Sequence, residues 1–293
     1  MILITGATGH LGKATINALL SKGVDPQSIT GLIRDEAKAD WLKENNVKLV
    51  KGDYNDYESL LKALEGVQTL FLISSSDVVS RQQHHENVIR AAKATGVGRI
   101  VYTSATRKRE DGTSAIAFLL NSVLQTESLI RSGGFAYTFL RNALYADVLP
   151  MFLGTDVLST GVFLSGGNGR ANYATRQDLG EASANVLTSN GHDGKEYTLT
   201  GPESYSFQEI ADILTELSGK PVLYHNPSEE IFVQNLNQAG VPPENIGGFT
   251  MFLNAIKQGE FETERTDLPV LLGRTPATLK SYLESVYFIK RTV

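Results

Sequence analysis

The groups best placed to do chemistry in this chain are backbone ones. They gather where Thr5-Gly6-Ala7-Thr8-Gly9-His10-Leu11-Gly12 follows the apolar run Met1-Ile2-Leu3-Ile4 and enters a helical pattern. Strand, glycine-rich turn and helix in that order make a site for a dinucleotide diphosphate. Gly6 permits the tight turn, Gly9 lets the backbone approach the phosphates, and Gly12 lets the helix pack closely on the strand. Free N–H groups and the positive end of the helix dipole then face the ligand's charge.

The end of the second apolar run chooses between the two nicotinamide dinucleotides. An acid about 20 residues past the glycines would hold the ribose 2′-hydroxyl of NAD. Here Arg34 comes first, with Lys38 one turn on, and a guanidinium beside an ammonium suits a 2′-phosphate. Asp35 keeps NAD open, so NADP(H) stands ahead of NAD(H).

Gly52-Asp53-Tyr54 follows the third run, where Asp53 and Tyr54 offer an acceptor and a flat ring to adenine. The rival reading is an Asx turn, with Asp56 starting the next helix. Ser74-Ser75-Ser76 follows the fourth run and Thr103-Ser104 the fifth. Hydroxyls favour strand-end turns, yet their joint place at carboxyl ends puts Ser74, Ser75, Thr103 and Ser104 beside the nicotinamide ribose.

The elements that must position these groups are short apolar runs at 2–5, 29–33, 47–51, 69–73, 100–103 and 137–140. Helical patterns at 10–21, 37–44, 57–64, 81–94 and 117–130 alternate with them. Such alternation means right-handed βαβ units: an α/β, Rossmann-type, doubly wound parallel sheet. We expect residues 1–150 to form the NAD(P)-binding domain and 151–293 a smaller, mostly helical substrate or cap lobe interwoven with it. Within the second part, Asp178 is expected to cap a helix through Leu187, and 197–200 to return to the sheet. Ser206 with Glu209 opens a helix to Leu217, and helices follow at 228–239, 245–257 and 276–286.

The 293 residues contain 41% hydrophobic and 20% charged residues and no cysteine, which removes disulfides, thiolate nucleophiles and Cys-ligated metals. A net charge of −5 offers no field for nucleic acid. No apolar run approaches the ~20 residues of a membrane span, and no leader pattern opens the chain, so a cytoplasmic location is expected. His84-His85 lacks a third ligand, so no metal site is expected; one ring should pack on the sheet and the other face solvent. The mixed-charge stretch 107–111 is read as a flap over the site. A homodimer is compatible with the sequence and not required by it.

Together these residues resemble the NmrA-like branch of atypical short-chain dehydrogenases/reductases, with the closest likeness to type-2 quinone oxidoreductases and triphenylmethane reductases. The matching pieces are the glycine loop, Arg34, Gly52-Asp53-Tyr54, the serines at 74–76, and above all Ala136-Tyr137-Thr138-Phe139-Leu140-Arg141-Asn142-Ala143-Leu144-Tyr145. Thr175-Arg176-Gln177-Asp178, Gly201 and Ser218-Gly219-Lys220 match as well, so the likeness runs nearly the whole length. It implies NADPH held by Gly6, Thr8, Gly9, His10, Leu11, Arg34, Ser74, Ser75 and Thr103, with His10 acting through its backbone. It also implies a substrate pocket near Asn142 and Tyr145.

One departure bears on mechanism. The wider superfamily uses a Tyr-x-x-x-Lys pair, the lysine lowering the tyrosine's pKa. No tyrosine here has lysine four positions on; Tyr137 and Tyr287 have arginine, and Tyr137 is expected in a strand. The expected helix, 118–127, has neither residue type, and Val123 stands where the related reductases often carry histidine. Alcohol–ketone interconversion and sugar epimerisation need such a group. Quinones, azo compounds and cationic triarylmethane dyes take a hydride directly, and the protein then supplies orientation and a dry, flat pocket. Asn142 could donate to a developing oxyanion and Tyr145 could stack on an aromatic acceptor, with Phe152 or Tyr173 as the other wall. The expectation is an NADPH-dependent reductase of a small aromatic or quinone-like substrate. An NADP(H)-binding redox sensor without turnover is the alternative, and a sugar-nucleotide epimerase comes third.

Overall fold

In the computed structural model, which describes residues 1–289, the chain runs β1 (Ile2–Ile4), α1 (His10–Ser21), β2 (Ile29–Ile33), α2 (Asp40–Glu44), β3 (Lys48–Lys51), α3 (Tyr57–Leu64) and β4 (Thr69–Leu72). It continues through α4 (Arg81–Ala94), β5 (Arg99–Ala105), α5 (Ala117–Ser132), β6 (Ala136–Asn142), β7 (Leu144–Tyr145), α6 (Leu149–Leu153), α7 (Val157–Thr160), β8 (Val162–Phe163) and β9 (Arg170–Ala174). Then come α8 (Arg176–Thr188), β10 (Lys195–Leu199), β11 (Ser204–Ser206), α9 (Phe207–Ser218), β12 (Tyr224–His225), α10 (Glu229–Gln238), α11 (Pro243–Lys257), α12 (Leu268–Leu272) and α13 (Leu279–Tyr287).

Seven strands form one sheet in the order β10-β6-β5-β4-β1-β2-β3. All its pairs are parallel. Successive residues serve opposite faces. Ile4 and Val101 enter the hydrophobic cluster under α1 and α8, while Leu3, Ile100 and Tyr102 enter the one under α3 and α4. Helices cover both faces, which is why these strands read as continuous apolar runs. The order reverses between β1 and β4, and ligands of such sheets bind there, beyond the carboxyl ends.

A third cluster, with Phe207, Ile210, Leu253 and Phe261 among its members, lies outside the main sheet. Two small sheets, β11-β9-β7 and β12-β8, accompany it. The capping box at Ser206 and Glu209 is present and opens α9. Ser228 caps α10.

Three local expectations are corrected. The stretch 37–44 is a 3₁₀ turn at Glu36–Lys38 followed by the short α2, because Asp35 caps the turn by accepting from the Ala37 N–H. Thr175, not Asp178, caps α8; Asp178 sits three residues in and binds Arg274 and the Ala277 N–H instead. Both His84 and His85 are buried, neither facing solvent. Tyr137 lies in β6, so its relation to Arg141 is not that of a helix face; Arg291, the partner position for Tyr287, lies outside the described residues.

Candidate active site

At the first loop, Gly6 has φ +59°, a left-handed conformation that favours glycine. A Cβ on Gly12 would lie 2.3 Å from the Gly6 carbonyl oxygen, so any side chain there would force α1 off the turn. Gly9 caps α1 without a side-chain hydrogen bond, leaving the first N–H groups of the helix, those of His10, Leu11 and Gly12, unpaired. Thr8 and His10 are exposed. Beside the loop, at the end of β2, Arg34 and Lys38 are exposed, and their side chains make no hydrogen bond or ion pair among the described residues. Asp35 is occupied by its own turn, which withdraws the acid a ribose 2′-hydroxyl would need. Unpaired helix-terminal donors, a glycine cradle and a free guanidinium fit a dinucleotide carrying a 2′-phosphate.

The other predicted cofactor contacts divide. Asp53 accepts from the Asn55 N–H at 2.9 Å and Asp56 caps α3, so the Asx turn is present at this strand end. Tyr54 packs against the His84 ring at 5.6 Å. Burial pushes its hydroxyl up to about 12, against a hydrogen bond with Thr5 and the charge of Arg34. Thr5 Oγ1 accepts from the Ile73 N–H at 2.8 Å and so ties β1 to the end of β4. There the glycine loop meets the serines: Ile73 lies 3.5 Å from the Cβ position of Gly6.

From Ser74 onward the hydroxyls already have partners. Ser74 Oγ donates to the Thr103 carbonyl at 2.7 Å, and Thr103 Oγ1 accepts from the Ser74 N–H at 2.8 Å. The Ser75 N–H donates to His85 Nε2 at 3.0 Å, leaving His85 Nδ1 to donate to Thr126 at 2.9 Å. Burial, with the charges of Arg81 and His84, pushes His85 down to about 3, so it stays neutral. Ser104 is the clearest misfit to the ribose expectation, because its hydroxyl donates to Glu127 Oε1 at 2.6 Å. Glu127 is fully enclosed and meets Arg107 through two 3.0 Å hydrogen bonds. Arg131 and Arg141 complete its surroundings. Burial pushes the Glu127 carboxyl up, but the hydrogen bonds from Arg107 and Ser104 and the charges of Arg107 and Arg141 outweigh it and hold it below the carboxylate range. Within the stretch read as a flap, Arg107 is anchored inside the protein with a side chain only 4% exposed, while Lys108, Glu110 and Asp111 are exposed.

Ser74, Thr103, Ser104, Asn142 and Tyr145 line one cavity of about 800 Å³, roofed by α6 and α11. Phe152 and Tyr173 line it too, and Phe152 packs edge-on against Phe249 at 5.0 Å. Val123 holds its place on α5, where no proton can be exchanged. Asn142 is 5% exposed, and neither atom of its amide has a hydrogen-bond partner of normal geometry. Burial raises the Tyr145 hydroxyl, opposed by the Asn142 amide and by Arg176 and Arg81. One face of the Tyr145 ring carries the Arg176 guanidinium at 4.4 Å, and the ring packs against the main core cluster. Sequence reasoning missed Arg81 and the cap residues Val241, Phe249 and Phe252, which line the same cavity. A cation shortly after the serine run was the signal available for Arg81. Among the described residues no metal cluster and no helix long and apolar enough to cross a membrane are found.

A parallel sheet with a glycine cradle at its reversal point defines a Rossmann-type dinucleotide-binding protein. The chain belongs to the NmrA-like family, whose model matches residues 1–283. It is 37% identical to quinone oxidoreductase 2 of Escherichia coli (strain K12), over 98% of this chain and 99% of that protein. It is 26% identical to the NAD(P)H azoreductase of Xenophilus azovorans, over 97% of both chains. The crystal structure of the Citrobacter sp. triphenylmethane reductase complexed with NADP(H) matches with a TM-score of 0.90 and 37% identity, over 97% of this chain and 99% of that one.

Proposed function

We propose that this chain is an NADPH-dependent reductase that passes hydride to quinone-like and other conjugated acceptors, with azo compounds and triarylmethane dyes in the same class. The observation that carries this reading is the pairing of a free phosphate cradle with an apolar, aromatic-lined cavity that contains no proton-transfer pair. The names of the relatives, a quinone oxidoreductase, an azoreductase and a triphenylmethane reductase, support it.

NADPH would be held by Gly6, Thr8, Gly9, His10 and Leu11 at its diphosphate, by Arg34 and Lys38 at its 2′-phosphate, and by Ser74, Ser75 and Thr103 near its nicotinamide ribose. Bound there, it supplies a hydride. The chain's own residues orient the acceptor and keep water out. Asn142 has an unsatisfied amide N–H₂ to donate to an oxygen that becomes negative, an interaction that strengthens as charge develops. Tyr145, Phe152 and Tyr173 give the cavity its flat walls. No tyrosine–lysine pair lines the cavity, so the product's proton is drawn from solvent. In this reading residues 1–150 serve the cofactor and the later lobe, to residue 293, closes over the acceptor. The last four residues lie outside the described structure.

NADPH consumption with a panel of one quinone, one azo dye and one triarylmethane dye tests the reading. Oxidation with at least one of them is expected. Tight NADPH binding without oxidation by any would select the redox-sensor alternative.

A further inference from the structure

Arg81, the first residue of α4, is half-buried in the cavity wall, where Asn142 and Tyr145 also lie. Its Nε donates to the Ser75 carbonyl at 2.8 Å, which fixes the guanidinium plane and leaves its two terminal nitrogens without a hydrogen-bond partner among the described residues. No carboxylate pairs with it among the described residues. Asp77, which acts on it at a distance, is exposed and turns its Oδ1 to the Val79 and Ser80 N–H groups. The charge of Arg81 reaches the hydroxyls of both Tyr102 and Tyr145. Glu244, the other charged residue lining the cavity, is exposed on the cap, where solvent screens it. The cavity therefore has a net positive interior beside the same amide that faces the acceptor.

We propose that Arg81 sets the charge selectivity of this cavity: its free guanidinium N–H groups bind an acceptor oxygen that carries or acquires negative charge. The inference rests on the reductase reading and names the substrate class within it. Hydride addition to a quinone oxidises NADPH to NADP⁺ and leaves a hydroquinone monoanion, which takes a proton from water. Negative charge grows on oxygen in that step, so a fixed cation stabilises it. Reduction of a triarylmethane cation forms a C–H bond and a neutral product, and a fixed cation gives that step no help. Arg81 thus favours quinones and aromatic carboxylates over cationic dyes.

The test compares Arg81→Ala, Arg81→Gln and Arg81→Lys with the parent chain. Its first readout is binding of 2-naphthoate, a redox-inert aromatic carboxylate, to the NADP⁺ complex. Arg81→Ala and Arg81→Gln should each weaken it about tenfold while NADP⁺ affinity stays within about twofold, and Arg81→Lys should recover part of the loss. In turnover, kcat/KM for a quinone should fall about tenfold and that for a cationic triarylmethane dye should hold or rise. Absent naphthoate binding, a matching loss of NADP⁺ affinity, or equal losses for both acceptors would each overturn the proposal. Naphthoate binding that depends on Arg81 in a protein that oxidises NADPH with no acceptor would support the anion site while sinking the reductase reading.

Discussion

Around the glycine loop the polar groups are left open: three helix-terminal N–H groups and the side chains of Arg34 and Lys38 have no hydrogen-bond or ion-pair partner among the described residues. A few residues further, at the ends of β4 and β5, the hydroxyls of Ser74, Thr103 and Ser104 are already bonded within the protein. The first region presents donors to a ligand that brings its own charge. The second spends its polar groups on rigidity and leaves only the Asn142 amide and Arg81 to meet an acceptor. The contrast explains how a reductase can do without an acid/base pair. Charge is handled by the cofactor cradle and by two donors in an otherwise largely apolar cavity.

The largest effect should come from breaking the saturated region. Glu127→Ala leaves the buried Arg107 guanidinium with only the exposed Glu110 carboxylate and takes the central acid from Arg131 and Arg141, and about 3 kcal/mol of stability should be lost in denaturant unfolding. Next, Asn142→Leu should lower kcat/KM for a quinone by about 100-fold with NADPH affinity unchanged. The same substitution removes two unpartnered buried polar atoms, so thermal unfolding should shift up, by about 1 kcal/mol. A drop in stability there would mean that the amide has a structural partner after all. At the open end, Arg34→Ala should weaken NADPH by about 1.5–3 kcal/mol in a fluorescence titration and NADH far less. Equal losses would remove the 2′-phosphate assignment.

A separate effect is with pH. His85 is neutral in the fold, depressed from 6.5 to about 3, so its contribution is complete above 6.5 and is lost as pH falls toward 3. Glu127 adds a second loss as pH falls through its lowered carboxyl value, below 4.5. Unfolding free energy measured against pH should fall by at most about 1.4 kcal/mol per unit for each proton taken up. His85→Gln should flatten the upper limb only.

The cofactor end was legible because its logic is local. Gly6, Gly9 and Gly12 sit within one turn, and their spacing alone states that backbone must approach something. Arg34 was legible from its distance past that turn. The acceptor end was not, because its partners are far apart in the chain. Nothing near Ser104 announces that its hydroxyl will meet Glu127, 23 residues on, or that Arg107 will join them from the presumed flap. Arg81 looked like an ordinary helix start, and only the fold turns it into the cavity. His84 misled for a related reason: adjacent helical residues ordinarily face different ways, but here Ser75 after β4 meets both rings, and Tyr54 and Asn55 after β3 cover His84. Asn142 and Tyr145 were reached by resemblance, and the stacking role given to Tyr145 has to share its ring with Arg176.

The central claim is that hydride passes directly into the cavity, with no proton donor from the protein. The most direct measurement is reduction of a triarylmethane dye with NADPH carrying deuterium at the transferable position of the nicotinamide ring, followed by mass analysis of the colourless product. One deuterium on the central carbon, unaffected by running the reaction in ordinary water, is the predicted result. A product carrying only protium at that carbon would contradict it.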